Sequence, residues 1–235
     1  MDVIILAGGL GSRLRSVVND VPKCMAPVCE KPFLFYLLHY LSKYETIDKV
    51  ILSVGYLREI IFDWLNNKNL SFPFHIDYVI ENEPLGTGGA IRLAISKATS
   101  GEVCIINGDT FFDLDLELFH KEHIESRATV SIALKSMNNF DRYGNVTIRN
   151  DNSIIRFSEK TKCIKGQING GVYFINKENN LMDNLPEKFS FETDVLQKNV
   201  PLQNLYGFIH NDYFIDIGVP EDYKRANDDF KILFK

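Results

Sequence analysis

Val/Ile-rich runs at Val3–Leu6, Val50–Val54, Ile76–Ile80 and Val103–Ile106 alternate with segments of helical period at Phe33–Tyr44, Leu57–Asn66 and Gly88–Ala98. Short apolar runs without polar alternation suit strands buried on both faces, and a strand–helix–strand repeat lays successive strands parallel. Within the first helical segment, Phe33, Leu37, Tyr40, Leu41 and Tyr44 recur on one face, which Leu34 and Leu38 widen. After Leu118 the pattern changes. Thr129–Leu134, Asn145–Arg149, Ser153–Phe157, Gly171–Ile175 and Tyr213–Ile217 read as strands, with a turn at Asp151-Asn152. Pro220–Phe230 reads as a closing helix, its first turn marked by Pro220, Glu221 and Asp222. The expected fold is α/β: a mixed, mostly parallel central sheet flanked by helices, with a small antiparallel sheet in the second part. The 235 residues suit one domain, with halves at 1–118 and 119–235.

The first strand runs into Leu6-Ala7-Gly8-Gly9-Leu10-Gly11-Ser12-Arg13-Leu14. Glycines at the carboxyl end of a strand let backbone N–H groups close on phosphate oxygens, and Arg13 adds a permanently charged planar fork. No Lys-Ser or Lys-Thr follows Gly11, so this is not a P-loop. Leu14 stands where a dinucleotide fingerprint needs its last glycine, and Asp20 follows no strand. Taken alone, the glycines fit a phosphate cradle and a plain strand-to-helix turn equally well.

Pro22-Lys23-Cys24-Met25-Ala26-Pro27-Val28 follows, with prolines stiffening the loop around Lys23. Together with Gly-Gly-Leu-Gly-Ser-Arg-Leu, it resembles the sugar-1-phosphate nucleotidyltransferases, the NDP-sugar pyrophosphorylases. Cys24 departs from the family pattern, which commonly has a further proline there. The resemblance runs along nearly the whole chain. It implies a Rossmann-like nucleotide-diphospho-sugar transferase fold, a nucleotide-binding first half and a sugar-phosphate-binding second half. It also implies a cytoplasmic enzyme of nucleotide-sugar biosynthesis. The implied reaction is attack by a sugar 1-phosphate on the α-phosphorus of a nucleoside triphosphate, expelling pyrophosphate.

Asp109 ends Val103-Cys104-Ile105-Ile106-Asn107-Gly108, and Asp216 lies in Tyr213-Phe214-Ile215-Asp216-Ile217-Gly218. A carboxylate at the mouth of a buried strand suits Mg²⁺, which needs only one or two protein carboxylates beside phosphates and waters. In the resembled family the aspartates of Asn-Gly-Asp and Asp-Ile-Gly hold the metal. Asp113 and Asp115 instead start the next helix. Arg13, Lys23, Asp109 and Asp216 are the expected catalytic set, with Arg13 on the departing pyrophosphate and Lys23 on the α-phosphate. A phosphate monoester is already largely dianionic at neutral pH, its second pKa being about 6, so no general base is required.

The expected nucleotide site comprises Leu6, Ala7, Gly8, Gly9, Gly11, Ser12, Arg13, Lys23 and Asp109, with Glu81, Gly86, Thr87 and Gly88 from the stretch Glu81–Ala90 around the base. In that stretch, Gly86, Thr87 and Gly88 lie in a Leu-Gly-Thr-Gly-Gly loop resembling the family's Leu-Gly-Thr-Ala-Gly. Guanine offers two adjacent donors that one carboxylate accepts, so Glu81 as base acceptor favours GTP; read otherwise, it is an exposed strand-end carboxylate. For the acceptor, the resemblance implies Gly144, Glu159, Lys160, Asn169, Gly170 and Glu192.

The net charge of −5 argues against a nucleic-acid partner, and no apolar run is long enough to span a membrane. Met1-Asp2 begins no signal peptide, and four cysteines without a Cys-x-x-Cys pair suit reduced thiols. His120 and His123 are expected on a solvated helix face rather than on a metal. The partners expected are GTP and a sugar 1-phosphate, with monomer and homodimer both open. Mannose or glucose 1-phosphate, UTP or CTP, and a non-catalytic nucleotide-sugar sensor are the alternatives.

Overall fold

The computed structural model describes every residue except Leu10, Ser12, Arg13, Arg15, Ser16, Glu159, Lys160, Asn179 and Gln203, and the side chain of Leu202. The chain opens with β1 (Asp2–Leu6), the short hairpin β2 (Pro27–Val28) and β3 (Lys31–Pro32), then α1 (Phe33–Leu41). There follow β4 (Lys49–Val54), α2 (Arg58–Leu65), β5 (His75–Ile80), α3 (Gly86–Ile95) and β6 (Glu102–Asn107). Next come β7 (Thr110–Phe112), α4 (Leu116–Ser126), β8 (Val130–Phe140), β9 (Asn145–Ile148), β10 (Ile154–Ser158) and β11 (Cys163–Asn176). A π-helix (Phe191–Gln197), β12 (Leu205–His210), β13 (Phe214–Asp216) and α5 (Pro220–Leu233) complete it.

Among the described residues one nine-stranded sheet dominates, ordered β10-β9-β11-β6-β1-β4-β5, with β8 pairing β11 and β12. The β6-β1-β4-β5 block is parallel, as the strand–helix alternation requires. β11 then runs antiparallel to β6, β8 and β9. Alternate side chains of the parallel strands feed two cores. Val3 and Ile5 pack with residues of α1, α2, α4 and α5, while Ile4 packs with α3 and the π-helix. Burial on both faces is why these strands are continuously apolar.

The expected strands and helices are present, with some differences. α1 ends at Leu41, three residues before the expected Tyr44. β11 begins at Cys163, well before the expected Gly171, because its first half is a polar, half-exposed arm paired with β8. The β2–β3 hairpin, β7, β12 and the π-helix were not foreseen. Asp115 caps α4, accepting from the amides of Glu117 and Leu118.

The histidine expectation needs correction. His123 is buried, its Nδ1 lies 2.8 Å from Ser131 Oγ, and its ring stacks on Phe174. His120 stacks on Phe174 too, at 4.8 Å between centroids. Both belong to the face that α4 lays against the sheet, and burial pushes the His123 imidazole down to about 4. Among the described residues no three or more His, Cys, Asp or Glu form a metal cluster.

Candidate active site

Sheet register places the glycine turn and Asp109 together. Leu6 pairs with Asn107 at the carboxyl ends of neighbouring parallel strands, and Gly108 N donates to Leu6 O at 3.1 Å. Ligands on open α/β sheets bind beyond those strand ends. Asp216 arrives from the far end of the sequence because β13 pairs antiparallel with β7. That pairing sets Asp216 against Thr110, and Ile217 N donates to Asp109 O at 3.0 Å.

Lys23 meets both aspartates. A single 3-10 turn, Lys23–Met25, sinks Cys24 and Met25 into the core and turns Lys23 towards the strand ends. Burial pushes the Cys24 thiol up to about 12, so it stays neutral beside the charged groups. Lys23 Nζ bonds Asp109 Oδ2 and lies 3.6 Å from Asp216 Oδ1, its side chain only 10% exposed. Gly218 N donates to Asp216 Oδ1 at 2.7 Å, fixing that carboxylate. Two hard oxygen donors that already share one cation are a chemically suitable pair for Mg²⁺, with the remaining ligands left to phosphates and water.

A cavity of about 340 Å³ lies on the glycine-turn side, lined by Leu6, Ala7, Gly8, Gly9, Lys23 and Glu81 among others. A Cβ on Gly8 would collide with Glu81 Oε1, so the missing side chain is what admits this carboxylate. Glu81 follows β5, and its oxygens accept from Ser53 Oγ at 3.0 Å and Leu85 N at 3.3 Å. Gly86 and Thr87, at the start of α3, line the same cavity. Gly88 does not. It packs against the Phe189 ring, and its N donates to Phe189 O at 3.1 Å. Gly11 lies at positive φ against the stem of Lys23.

A second cavity of about 430 Å³ opens on the other side, and Asn107 and Asp109 line both. Gly144, Asn169, Glu192 and Asp216 are on its wall. Gly170 is not; it packs under the Phe112 ring. The irregularity in β11 falls between Asn169 and Tyr173, at this wall, as bulges beside sites often do. Gly171 adopts φ +72° there, and a Cβ would press on the Asn107 amide. Asn169 Oδ1 accepts from Gly171 N at 2.9 Å, and its Nδ2 donates to Tyr173 OH at 2.8 Å. Burial, helped by the Glu192 charge, raises the Tyr173 hydroxyl well above its usual range, so it stays protonated.

Thr87 joins the cavities. Its hydroxyl donates to Glu192 Oε2 at 2.6 Å and accepts from Phe191 N at 2.9 Å, tying the start of α3 to the π-helix. Ser12, Arg13, Glu159 and Lys160 lie outside the described residues. Sequence reasoning did not select Thr110 or Arg142, both of which line the second cavity, and reached Asn107, Tyr143 and Tyr173 only as neighbours of Asp109, Gly144 and Asn169. Asn107 adjoins Gly108-Asp109, and Arg142-Tyr143 adjoins Gly144, so proximity to a chosen motif was the available signal.

A model of the nucleotidyl transferase family matches residues 2–231. The chain belongs to that family. It is 51% identical over 226 residues to D-glycero-α-D-manno-heptose 1-phosphate guanylyltransferase of Aneurinibacillus thermoaerophilus, covering 96% of each chain. The protein of the same name from Campylobacter jejuni is 46% identical, over 95% of this chain and 97% of its own. The crystal structure of HddC from Yersinia pseudotuberculosis complexed with GMP-PN superposes with a TM-score of 0.84 at 38% identity, covering 97% of this chain and 99% of that one. An inositol-1-phosphate CTP transferase from T. maritima shares the fold at 20% identity and a TM-score of 0.76. Membership fixes the chemistry as nucleotidyl transfer.

Proposed function

We propose that the protein transfers GMP from GTP to D-glycero-α-D-manno-heptose 1-phosphate, releasing pyrophosphate and GDP-heptose for a surface polysaccharide. The two guanylyltransferase relatives support the substrates. One structural observation carries the reading: two cavities, one beside the glycine turn and one beside Glu192, meet at Asp109 with Lys23 and Asp216 alongside. The first takes GTP and the second the sugar phosphate.

The chemistry follows from that placement. An oxygen of the acceptor phosphate attacks the α-phosphorus, the new O–P bond forms, and the bond to the β-phosphate breaks in line. The nucleophile carries its own negative charge, so positioning and charge neutralisation supply the acceleration. Lys23 and Arg13 meet the triphosphate, with Lys23 on the α-phosphate. Asp109 and Asp216 would hold Mg²⁺, whose charge would offset that of the triphosphate when bound. Glu81 accepts the two adjacent donors of guanine. Glu159, Lys160, Asn169 and Glu192 take the sugar and its phosphate. The site thus divides largely along the chain, with the first 118 residues holding the nucleotide and the remainder most of the acceptor, while Asn107 and Asp109 border both.

Pyrophosphate release from GTP, UTP, CTP and ATP against a panel of sugar 1-phosphates tests this. Release is expected with GTP and the heptose 1-phosphate. Preference for mannose or glucose 1-phosphate, or for UTP, would overturn the specificity, and silence with every pair would leave a nucleotide-sugar binder.

A further inference from the structure

Besides Arg142, the charged residues on the described wall of the second cavity are Asp109, Asp216 and Glu192. An acceptor carrying a phosphate adds close to two further negative charges there. Arg142 is the one cation among the described residues lining that cavity, since Lys23 faces the nucleotide side.

Arg142 is held, but at one end. One of its terminal nitrogens bonds Asp222 Oδ2 on α5, a carboxylate that is itself only 8% exposed. The guanidinium sits 5.7 Å from the centre of the Tyr143 ring. Its side chain stays 44% exposed, and a guanidinium has five donors, so one tether leaves the rest of the fork for a ligand. Asp222 does not depend on Arg142 for charge balance, because Arg225 lies 3.5 Å from its other oxygen. The pair is not sealed in: Arg142 lines the cavity.

Resting on the acceptor assignment made above, we propose that Arg142 is a substrate-binding residue. Tethered by Asp222, it presents its guanidinium to the phosphate of the incoming sugar 1-phosphate. Asp222 acts as its positioning residue. The pairing gives a use to the buried carboxylate in the first turn of α5.

The test compares steady-state constants for wild type, Arg142→Gln and Arg142→Lys, with thermal midpoints measured alongside. In Arg142→Gln the KM for the sugar 1-phosphate should rise roughly 10- to 100-fold, with the GTP KM unchanged within about twofold. Arg142→Lys keeps the charge and loses the fork, so its acceptor KM should lie between the two. An acceptor KM raised less than about threefold in Arg142→Gln, or an equal rise in the GTP KM, would overturn the proposal. If the Gln variant does not fold, Arg142→Lys decides alone: an unaltered acceptor KM overturns it. Wild type is assayed first, so failure of the acceptor assignment shows there as absent release, independent of either variant.

Discussion

Lys23 carries the heaviest load of any single side chain. It is the cation on which Asp109 and Asp216 converge, and the glycine turn packs against its stem. Lys23→Ala should lower kcat by roughly 10²- to 10³-fold, with a smaller change in KM, as expected for a charge that acts most strongly on the transition state. Unchanged turnover in a steady-state assay would remove it from the mechanism. Glu81 makes a different prediction. If Glu81 accepts from guanine as proposed, replacing its carboxylate with an amide puts a donor where an acceptor is needed, so Glu81→Gln should cost about 10- to 100-fold in kcat/KM for GTP relative to UTP. An unaltered GTP/UTP ratio would place Glu81 outside base recognition. Residues of this kind were readable because each sits in a short contiguous string: Gly8-Gly9, Pro22-Lys23, Gly108-Asp109. Arg142 was not, since its significance depends on Asp222, far along the chain, and on a cavity wall no string encodes.

Among elements, strand pairing and the π-helix decide how the site is assembled. The β7–β13 pair brings Asp216 to Asp109; Tyr213–Ile217 was visible as an apolar run, whereas the three-residue β7 was not, and nothing in either predicts the other as partner. β12 escaped notice because Gly207 interrupts Leu205-Tyr206-Gly207-Phe208-Ile209-His210 and blurs its strand character. The first half of β11 escaped because Lys165, Gly166 and Gln167 lack an apolar face. The π-helix has no sequence signature, yet its Glu192 and Phe191 are what Thr87 grips. Thr87→Val keeps the shape and removes both bonds. It should lower stability by about 1–3 kcal/mol and raise the KM for the sugar phosphate more than that for GTP. Denaturant melts and the two KM values check this; a rise in the GTP KM with the acceptor KM unchanged would show that Thr87 serves the nucleotide alone.

Across the molecule, the fold class followed from alternation of apolar runs and helical periods, because a sheet buried on both faces leaves no polar residues to obscure the pattern. What that pattern concealed was the buried histidine face of α4. Imidazoles buried neutral make the folded state bind fewer protons than the unfolded state, where the His value is near 6.5. The stability they contribute is present above pH 6.5 and is lost as pH falls towards the folded value of about 4. His123 alone should account for about 2 kcal/mol between pH 7.5 and pH 5. His120 and His210, also lowered by burial, act in the same direction, and Glu122, raised by burial, partly opposes them. Urea midpoints at the two pH values should therefore fall on acidification in wild type and fall less in His123→Leu; identical slopes would show that His123 titrates normally.

If the two adjoining cavities that meet at Asp109 take donor and acceptor as proposed, both substrates are bound together and react directly, without passing the nucleotide to the enzyme. The stereochemical course at the α-phosphorus tests this, using GTP made chiral there with sulfur and oxygen. A single in-line displacement predicts inversion. Retention of configuration would mean that a protein side chain had carried GMP between the two substrates, and would contradict the account.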